Sequence, residues 1–474
     1  MKTIFERSLS AHERALASGE YSAEELCRAF LDRIEETDRE LGAFLTVAKD
    51  QAIQAARASD VRRRAKQPLH ALDGIPFAVK DNFCTNGIPT TCAGRMLEGY
   101  LPPYDATVVE RMRSCGGVLL GKLNMDEFGM GSSTEHSAYR ITRNPIDPTR
   151  VPGGSSGGAA AAVAAGEAPF AIASDTGGSV RQPAAFCGVL GLKPTYGALS
   201  RYGMVAFASS LDCVGLITRS ADDCARVFSA LLGKDAHDAT SLAYAASDLD
   251  FDENMLKSLR LGVVDMQLES RTVSNAVSQA VAALCERGAV ASSAELPTPM
   301  EALAAYYVIS SAEASSNLAR FDGIRYGKRS AQADTLSELY ENSRREGFGA
   351  EVKRRILFGT YVLSVGNRED YYLRACEVRE KIRRTMAKQF EGCDLLILPV
   401  TPTPAFRIGE YRTPKQMYEA DLCTVYASLA GYPAISVPFG KTADGLPLAV
   451  QLIAPPMCEG RLLSVARLLE EVEV

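Results

Sequence analysis

The amino-acid sequence predicts an α/β protein. From about residue 70 to residue 230, short apolar runs alternate with glycine-rich turns and helical stretches, which is typical of strands and helices that build one sheet core. Strand-like runs return at 395–399 and 434–438, after a long helical block. The chain has 474 residues, of which 46% are hydrophobic and 23% charged, so it carries enough apolar material for a large core. This composition excludes the disordered and fibrous classes.

The N-terminal 66 residues are predicted to be helical. Residues 22–25 match a capping box, and an apolar stripe follows them at helical spacing. A second helical pattern covers 48–66. Beyond it, the apolar runs at 75–79 and 117–120 are predicted to be strands of the core.

Helical patterns dominate about 270–390, and we expect this block to form a wall or a cap over the core. Residues 391–474 are expected to return to the core. At about 150 residues per domain the length suggests three units, but no linker divides the chain. We therefore expect a single domain over 1–474, with its core at 70–230.

Charge and cysteine content favour a cytoplasmic protein that does not bind nucleic acid broadly. The 52 basic and 58 acidic side chains leave a net charge of −6, which argues against capture of a phosphate backbone by this chain alone. The weakly apolar stretch 157–173 contains Glu167 and Pro169, so no membrane segment is expected. Twelve cysteines without a CxxC pair or zinc-type spacing are expected to be reduced and mostly buried, with no metal site.

Two glycine- and serine-rich segments are candidate reaction sites. The loop at 152–158 leads into an alanine-rich helix, and the segment 174–179 follows a strand-like run. Glycines before Ser179 permit backbone conformations that aim several N–H groups at one point beside a hydroxyl, as in an oxyanion hole. Each segment alone also fits an ordinary tight turn. The run 116–122 resembles a phosphate loop, but Leu123 replaces the Ser or Thr that would hold magnesium, so we interpret it as a strand and a turn.

A serine nucleophile requires a base, and Lys80 is the better candidate. It ends the apolar run 75–79, where burial can lower the lysine pKa from about 10.4 towards 7. The alternative is a strand-end lysine that pairs with Asp81 or extends its amine to water. Of the four histidines only His136 lies near a glycine-rich segment; the other three are expected to be solvated bystanders, namely His12, His70 and His237.

Lys80, Gly-Gly-Ser-Ser-Gly-Gly at 153–158 and Asp-Thr-Gly-Gly-Ser at 175–179 together resemble the amidase signature family. The resemblance implies a large mixed β-sheet covered by helices on both faces, and a Ser–Ser–Lys triad that needs no cofactor in this chain. It makes Ser179 the acyl-forming nucleophile, Ser155 the bridging serine after a cis peptide bond, and Lys80 the base. It also implies an oxyanion hole formed by four backbone N–H groups, those of Thr176, Gly177, Gly178 and Ser179.

Within the family the chain is most similar to the glutamine-hydrolysing subunits of tRNA-dependent amidotransferases. Five segments carry this similarity: 122–131, 191–197, 200–203, 313–320 and 347–355. The resemblance implies that glutamine is the substrate and that ammonia passes to a partner in a heterotrimer with B- and C-type subunits. ATP, magnesium and most contacts with misacylated tRNA are expected in that partner. The sequence leaves open whether the tRNA is that for Gln, for Asn or for both.

The resemblance also implies which residues bind glutamine. Arg355 is expected to hold the α-carboxylate, Asp421 the α-ammonium, and Tyr306 to line the pocket. From the residues alone, Arg355 would instead be an exposed helix charge and Asp421 a helix-start residue, and the neighbouring Arg354 could be confused with Arg355. Departures from the family pattern fall at Cys213, Leu216 and 367–369, where they put the local packing in question.

Two other functions remain open from the sequence. One is a stand-alone amidase that acts on a different small amide, in which case Arg355 and Asp421 have no charges to recognise. The other is a non-catalytic or nucleotide-binding scaffold protein that uses its glycine-rich loops for phosphate.

Overall fold

In the computed structural model, which describes residues 3–249, 258–411 and 413–472, eleven strands form one sheet in the order β1-β3-β2-β4-β6-β5-β10-β11-β9-β7-β8. The strands of this described part are β1 Phe44–Val47, β2 Pro76–Lys80, β3 Val118–Leu123, β4 Ala171–Asp175, β5 Leu190–Lys193, β6 Cys213–Thr218, β7 Arg260–Val264, β8 Val290–Ala294, β9 Leu395–Pro399, β10 Ala434–Lys441 and β11 Pro447–Ile453.

Helices connect and cover these strands. The α-helices among the described residues are α1 Leu9–Ser18, α2 Ala23–Leu41, α3 Lys49–Arg64, α4 Thr107–Ser114, α5 Gly157–Ala164, α6 Arg181–Cys187, α7 Ala221–Leu231, α8 Arg271–Glu286, α9 Pro299–Asn317, α10 Leu336–Gly347, α11 Ala350–Leu363, α12 Arg374–Gly392, α13 Pro414–Glu419, α14 Val425–Ala430 and α15 Glu459–Glu470. A π-helical segment, Arg368–Leu373, precedes α12.

The predicted mixed α/β sheet is confirmed. Strand β2 pairs in parallel with both β3 and β4, whereas β6, β5, β10 and β11 continue the sheet with antiparallel pairs. Strands β2, β3 and β4 are buried at every position, so both of their faces are covered. Strands from residue 44 to residue 453 join the same sheet, which supports the proposal of a single domain.

Three strands were not predicted. Strand β1 lies inside the N-terminal segment 1–66 that was predicted to be helical, and β8 lies inside the helical block 270–390. Strand β8 has the sequence Val-Ala-Ser-Ser-Ala and is exposed at four of its five positions, because it lies at the edge of the sheet and so lacks the apolar run that identified the central strands. Strand β7 falls between the two predicted blocks. Residues 1–2 and 473–474 of the predicted segments lie outside the described residues.

The helical block builds a second apolar core on the sheet. Helices α9, α11 and α12 contribute buried side chains such as Leu303, Val352 and Ile382, which cluster with Leu396 and Leu398 of β9. This arrangement carries residues 306 and 355 to the sheet. No helix in the described ranges combines the length and the apolar composition that crossing a bilayer requires.

Candidate active site

Lys80 ends strand β2 inside the protein, where its side chain is fully buried. Its Nζ lies 2.7 Å from Ser155 Oγ, 2.8 Å from Ser156 Oγ and 3.0 Å from Ser174 Oγ. Burial lowers the pKa of this amine to about 7, because the ammonium form loses its hydration. An amine that is partly neutral near pH 7 and surrounded by hydroxyl groups can accept a proton from one of them.

The alternative pairing of Lys80 with Asp81 does not occur. Asp81 instead forms an ion pair with Lys122 of β3, with 3.1 Å between Lys122 Nζ and Asp81 Oδ1. Lys122 also donates to Phe83 O and Thr90 Oγ1, so it lies within strand β3 as a buried structural cation. This placement contradicts a phosphate-binding role for the run 116–122.

The two serines beside Lys80 differ in how their hydroxyl protons are used. The peptide bond between Gly154 and Ser155 is cis, as the family resemblance implied. Ser156 Oγ donates to Ser174 O at 3.1 Å, so its proton is engaged. Ser155 Oγ contacts Lys80 Nζ, and its proton remains available for transfer. These contacts favour Ser155 over Ser156 as the bridging serine.

The segment between β4 and α6 carries Ser179, and the side chain of Asp175 at the end of β4 fixes it by hydrogen bonds. The carboxylate of Asp175 accepts hydrogen bonds from Val180 N at 3.1 Å and from Arg181 Nη2 at 2.8 Å. Ser156 N donates to Ser179 O at 3.1 Å, which joins this segment to the serine loop. Both hydroxyl-bearing segments are therefore fixed against each other by backbone contacts.

One expected oxyanion donor is engaged elsewhere. Gly178 N donates to Asp175 Oδ1 at 2.9 Å, because the tight turn brings this amide back over the end of β4. Its assignment to the oxyanion hole is therefore corrected. The candidate donors that remain are the N–H groups of Thr176, Gly177 and Ser179.

Two neighbouring side chains explain why this segment requires glycines. A Cβ on Gly177 would lie 2.4 Å from Tyr306 Cζ, so the Tyr306 ring rests directly on the candidate oxyanion segment. Gly178 has φ +136°, and a Cβ there would lie 2.2 Å from Thr424 Oγ1. The sequence prediction that Tyr306 lines the site agrees with this contact.

Asp421 is buried and bound by two hydroxyl groups. Ser132 Oγ donates to Asp421 Oδ1 at 2.9 Å, and Tyr307 Oη donates to Asp421 Oδ2 at 2.7 Å. Burial raises the pKa of Asp421 to about 6, so the carboxyl group is mainly ionised at neutral pH. A buried carboxylate whose hydrogen-bond donors are neutral hydroxyl groups can bind a cationic group of a ligand.

Arg355 is buried in α11, whereas the side chain of Arg354 is 47% exposed. Arg355 Nε donates to Glu351 Oε1 at 2.8 Å, and its guanidinium lies over the rings of Tyr307 and Tyr418, 4.7 Å and 4.9 Å from their centroids. Aromatic faces and one carboxylate fix the plane of the guanidinium. Tyr307 thus contacts both charged groups: its ring face lies against Arg355, and its hydroxyl donates to Asp421.

Sequence reasoning missed several residues of the site. Ser174 joins the Lys80 cluster, and Asn82 Nδ2 donates to Ser174 Oγ at 3.0 Å. Tyr307, Glu351 and Ser132 orient the two expected ligand-binding charges. Ser174 directly precedes the Asp-Thr-Gly-Gly-Ser motif, so its position at the end of a buried strand was the one available signal.

The histidines do not take part in the lysine cluster. His136 is half-buried and contributes its backbone N–H to Asp126 Oδ1 at 3.2 Å. The expectation that His12 is solvated was wrong: it is fully buried against Tyr21 and Phe30, and burial lowers its pKa to about 4. His70 and His237 are exposed, as expected.

The departures from the family pattern fall inside ordinary packing. Cys213 and Leu216 are buried in β6, where Cys213 is the register partner of Asp175 on β4. Asn367 lies at the start of the π-helical segment, and its side chain donates to Ser364 Oγ at 3.0 Å. Eight of the twelve cysteines are buried, in agreement with the prediction that most of them are, and none of the twelve forms a disulfide bond. Among the described residues no group of three or more His, Cys, Asp or Glu side chains could hold a metal ion.

Comparison with known proteins agrees with this fold and with these motifs. The family model described as amidase matches residues 25–463, so the chain belongs to the amidase family, the family that its serine and lysine motifs indicated. Two relatives, both named as the A-type subunit of glutamyl-tRNA(Gln) amidotransferase, are each 52% identical to it. That of Symbiobacterium thermophilum aligns over 96% of this chain and 94% of its own, and that of Moorella thermoacetica over 98% and 96%.

Solved structures extend the comparison to the fold. The crystal structure of the A-type glutamyl-tRNA(Gln) amidotransferase subunit from Thermotoga maritima matches with a TM-score of 0.81 and 39% identity, over 99% of this chain and 96% of that one. A native peptide amidase from Stenotrophomonas maltophilia matches with the same TM-score and 29% identity, over 98% and 96%.

Proposed function

We propose that this protein is the glutamine-hydrolysing, A-type subunit of a tRNA-dependent amidotransferase, a carbon–nitrogen ligase that takes its amide nitrogen from glutamine. The observation that carries the proposal is the combination of a desolvated Lys80 among serine hydroxyls with a buried cation and a buried anion that both contact Tyr307. The relatives named for this activity align over nearly the whole chain.

The reaction begins with proton transfer to Lys80. Neutral Lys80 accepts the proton of Ser155, and Ser155 accepts that of Ser179 as Ser179 Oγ attacks the side-chain amide carbon of glutamine. The N–H groups of Thr176, Gly177 and Ser179 stabilise the oxyanion. A lost donor of this kind typically costs about 10²–10³ in rate. The proton returns through Ser155 to the departing ammonia, and water then hydrolyses the γ-glutamyl ester on Ser179.

Glutamine fits the two charged groups better than a simple amide does. Its α-carboxylate matches the guanidinium of Arg355, and its α-ammonium matches the carboxylate of Asp421. A stand-alone amidase for an uncharged amide would leave both groups buried without a ligand charge. The geometry therefore favours glutamine over that alternative.

The first experiment measures ammonia release from glutamine by the purified protein, in the presence and absence of hydroxylamine. We expect γ-glutamyl hydroxamate to form, because the nucleophile intercepts the ester on Ser179. Ser179→Ala should abolish both products. Ammonia release by Ser179→Ala at the wild-type rate would refute an acyl-enzyme on this residue.

The second experiment tests substrate recognition with a matched pair of variants. Removing the charged contact of Arg355 with Arg355→Ala should raise the KM for glutamine by about 10- to 100-fold. Arg354→Ala removes the half-exposed neighbour on the same helix and should leave the KM within about twofold of the wild type. Equal KM values for the two variants would refute the carboxylate assignment.

The finer parts of the proposal concern partners. We expect two further subunits of B and C type, with ATP and magnesium in the partner that amidates misacylated tRNA, and a cytoplasmic location for the heterotrimer. The net charge of −6 agrees with tRNA binding mainly by that partner. Affinity purification of the tagged chain from its native cell should recover two tightly bound proteins. Recovery of a lone active chain would favour the stand-alone amidase.

A further inference from the structure

Residues 126–128 connect the lysine cluster to both candidate ligand-binding charges. Asp126 N donates to Ser155 O at 3.1 Å, and Asp126 Oδ2 accepts from Ser133 N at 3.2 Å, beside the Ser132 hydroxyl that binds Asp421. On the other side, the Phe128 ring packs against Phe348, with 5.5 Å between the centroids. Phe348 immediately precedes Gly349, the N-cap residue of the helix that carries Arg355.

Glu127 lies in the middle of this segment and reaches the same helix. It is 3% exposed, and its Oε2 accepts a hydrogen bond from Gly349 N at 2.8 Å. Gly349 is the N-cap residue of α11 and has no side chain to cap the helix. In a capping box a Glu or Gln at the third helical position would bind this N–H, but that position is Val352. Glu127 supplies the missing acceptor from a distant segment of the chain.

The contact leaves little freedom at the start of α11. A Cβ on Gly349 would lie 2.2 Å from Glu127 Oε2, so the backbone and the carboxyl group are in direct contact. Arg355 lies within about two turns of this junction. A shift of the N-terminus of the helix would therefore move the guanidinium relative to the serines and Asp421.

We propose that Glu127 is a positioning residue for glutamine recognition, which sets the location of Arg355 by anchoring the backbone N–H of Gly349 at the start of α11. This inference rests on the proposed function, because it assumes that Arg355 binds the α-carboxylate. Glu127 itself contacts neither the serines nor the lysine in the hydrogen bonds of the described residues. Its loss should change the binding of glutamine far more than the chemical step.

The required property is a hydrogen-bond acceptor rather than a charge. Burial raises the pKa of Glu127 to about 7, opposed by the Gly349 N–H and by the positive charge of Lys353. Arg95, His136, Glu346 and Glu351 line the adjoining cavity of about 350 Å³. The other carboxyl oxygen, Oε1, is buried without a hydrogen-bond partner among the described residues, so the contact with Gly349 N is the hydrogen bond that a substitution must preserve. A glutamine at this position can accept from Gly349 N in the same way.

The test is a comparison of steady-state kinetics with glutamine for four single variants and one double variant. We expect Glu127→Ala to raise the KM about tenfold, with kcat within about threefold of the wild type, because a buried hydrogen bond to a positioning backbone group is lost. Water from the adjoining cavity can occupy the vacated space, but it does not fix Gly349. Glu127→Gln should restore the KM to within about twofold of the wild type.

Glu167→Ala is the matched control. Glu167 is also fully buried, also has one carboxyl oxygen without a partner, and burial raises its pKa to about 8, but its bound oxygen accepts from Thr37 in the N-terminal helical layer. This variant should lose stability with no change in KM. The fourth variant, Gly349→Ala, keeps an allowed backbone conformation but pushes the Glu127 carboxyl group away, so its KM should rise. In the Glu127→Ala background the same substitution should add nothing.

The proposal is overturned if Glu127→Ala keeps the wild-type KM, if Glu127→Gln is as impaired as Glu127→Ala, or if Gly349→Ala has the same effect in both backgrounds. A failure of the proposed function gives a different result, since Arg355→Ala would then leave the KM unchanged. Should Glu127→Ala fail to fold, Glu127→Gln and Gly349→Ala still decide the question. A near-normal KM in the first and a raised KM in the second support the anchor, and any other pair of results refutes it.

Discussion

Lowering the pH below 7 should remove activity by protonating Lys80. The amine acts as a base only when it is neutral, and burial lowers its pKa from the ordinary value of 10.5 to about 7. This difference corresponds to about 5 kcal/mol of destabilisation of the ammonium form, at about 1.4 kcal/mol for each pKa unit. The hydroxyls of Ser155, Ser156 and Ser174 do not offset it, because neutral oxygen acceptors replace hydration only in part.

The expected profile of kcat against pH is a rise to a plateau with its midpoint near 7. At pH 6 about a tenth of the lysine is neutral, so kcat should fall about tenfold from the plateau. Asp421, with its pKa raised to about 6, must be ionised to bind the substrate ammonium. The profile of kcat/KM should therefore steepen to a second-order dependence on proton concentration below about pH 6.

The assay is ammonia release at saturating and at low glutamine between pH 5.5 and 8.5, where the substrate amine stays protonated. Asp421→Asn separates the two titrations. In this variant kcat/KM should still fall as the pH drops through 7, but it should not fall more steeply below pH 6. A kcat that still rises steadily from pH 8 to pH 8.5 would mean that Lys80 is not desolvated, and the proposed relay would fail.

Three further predictions concern the same site. Lys80→Met should be more stable than the wild type at low pH, where the buried lysine is charged. Because the pKa of Lys80 is lower in the folded than in the unfolded chain, the unfolded chain binds more protons between about pH 7 and pH 10.5. The stability of the wild type therefore rises with pH across this window, whereas that of Lys80→Met does not change for this reason. Denaturant unfolding of both proteins at pH 7 and pH 9 should show their difference changing by about 2 kcal/mol, and a constant difference would exclude a depressed pKa. Ser155→Ala should lower kcat by about 10²–10⁴, whereas Ser156→Ala, which removes a hydroxyl already bound to Ser174 O, should lower kcat by less than about tenfold. Initial rates at saturating glutamine measure both effects. A larger loss of kcat in Ser156→Ala than in Ser155→Ala would make Ser156 the bridging serine. Asp421→Asn should raise the KM for glutamine at pH 7.5 by about tenfold or more, and a KM unchanged from the wild type would remove Asp421 from substrate recognition.

The fold was predictable where burial leaves an apolar run in the sequence. Strands β2, β3, β9 and β10 follow such runs and lie where the sequence placed them. Strand β8 was not predictable, because four of its five residues are exposed and its sequence reads as small and polar. His12 shows the opposite failure. Its helix looks polar in sequence, yet tertiary contacts with Tyr21 and Phe30 bury the ring completely.

In the site, the motifs indicated the candidate residues but not which hydrogen bonds their hydroxyl and N–H groups form. The engagement of Gly178 N by Asp175 depends on the path of one turn, and no residue identity reveals it. The same holds for Ser156, whose hydroxyl is distinguished from that of Ser155 only by its contact with Ser174 O. Glu127 acts on a helix more than 200 residues away in sequence, and local patterns carry no information about such a contact.

Three buried lysines lie in the central strands. Their hydrogen-bond and ion-pair partners decide which of them can act as a base and which is a structural cation. Lys122 forms an ion pair with Asp81, with 3.1 Å between Lys122 Nζ and Asp81 Oδ1. Lys193 donates to Pro194 O at 3.0 Å and to Cys213 Sγ at 3.9 Å, and burial lowers its pKa too, but neither partner is a serine hydroxyl. Lys80 alone of the three meets several hydroxyl groups, which accept from the amine and can also donate to it. Desolvation makes the neutral amine available, and Ser155 Oγ, 2.7 Å from Lys80 Nζ, carries a proton that this amine can accept. Both conditions are needed to assign the base to Lys80.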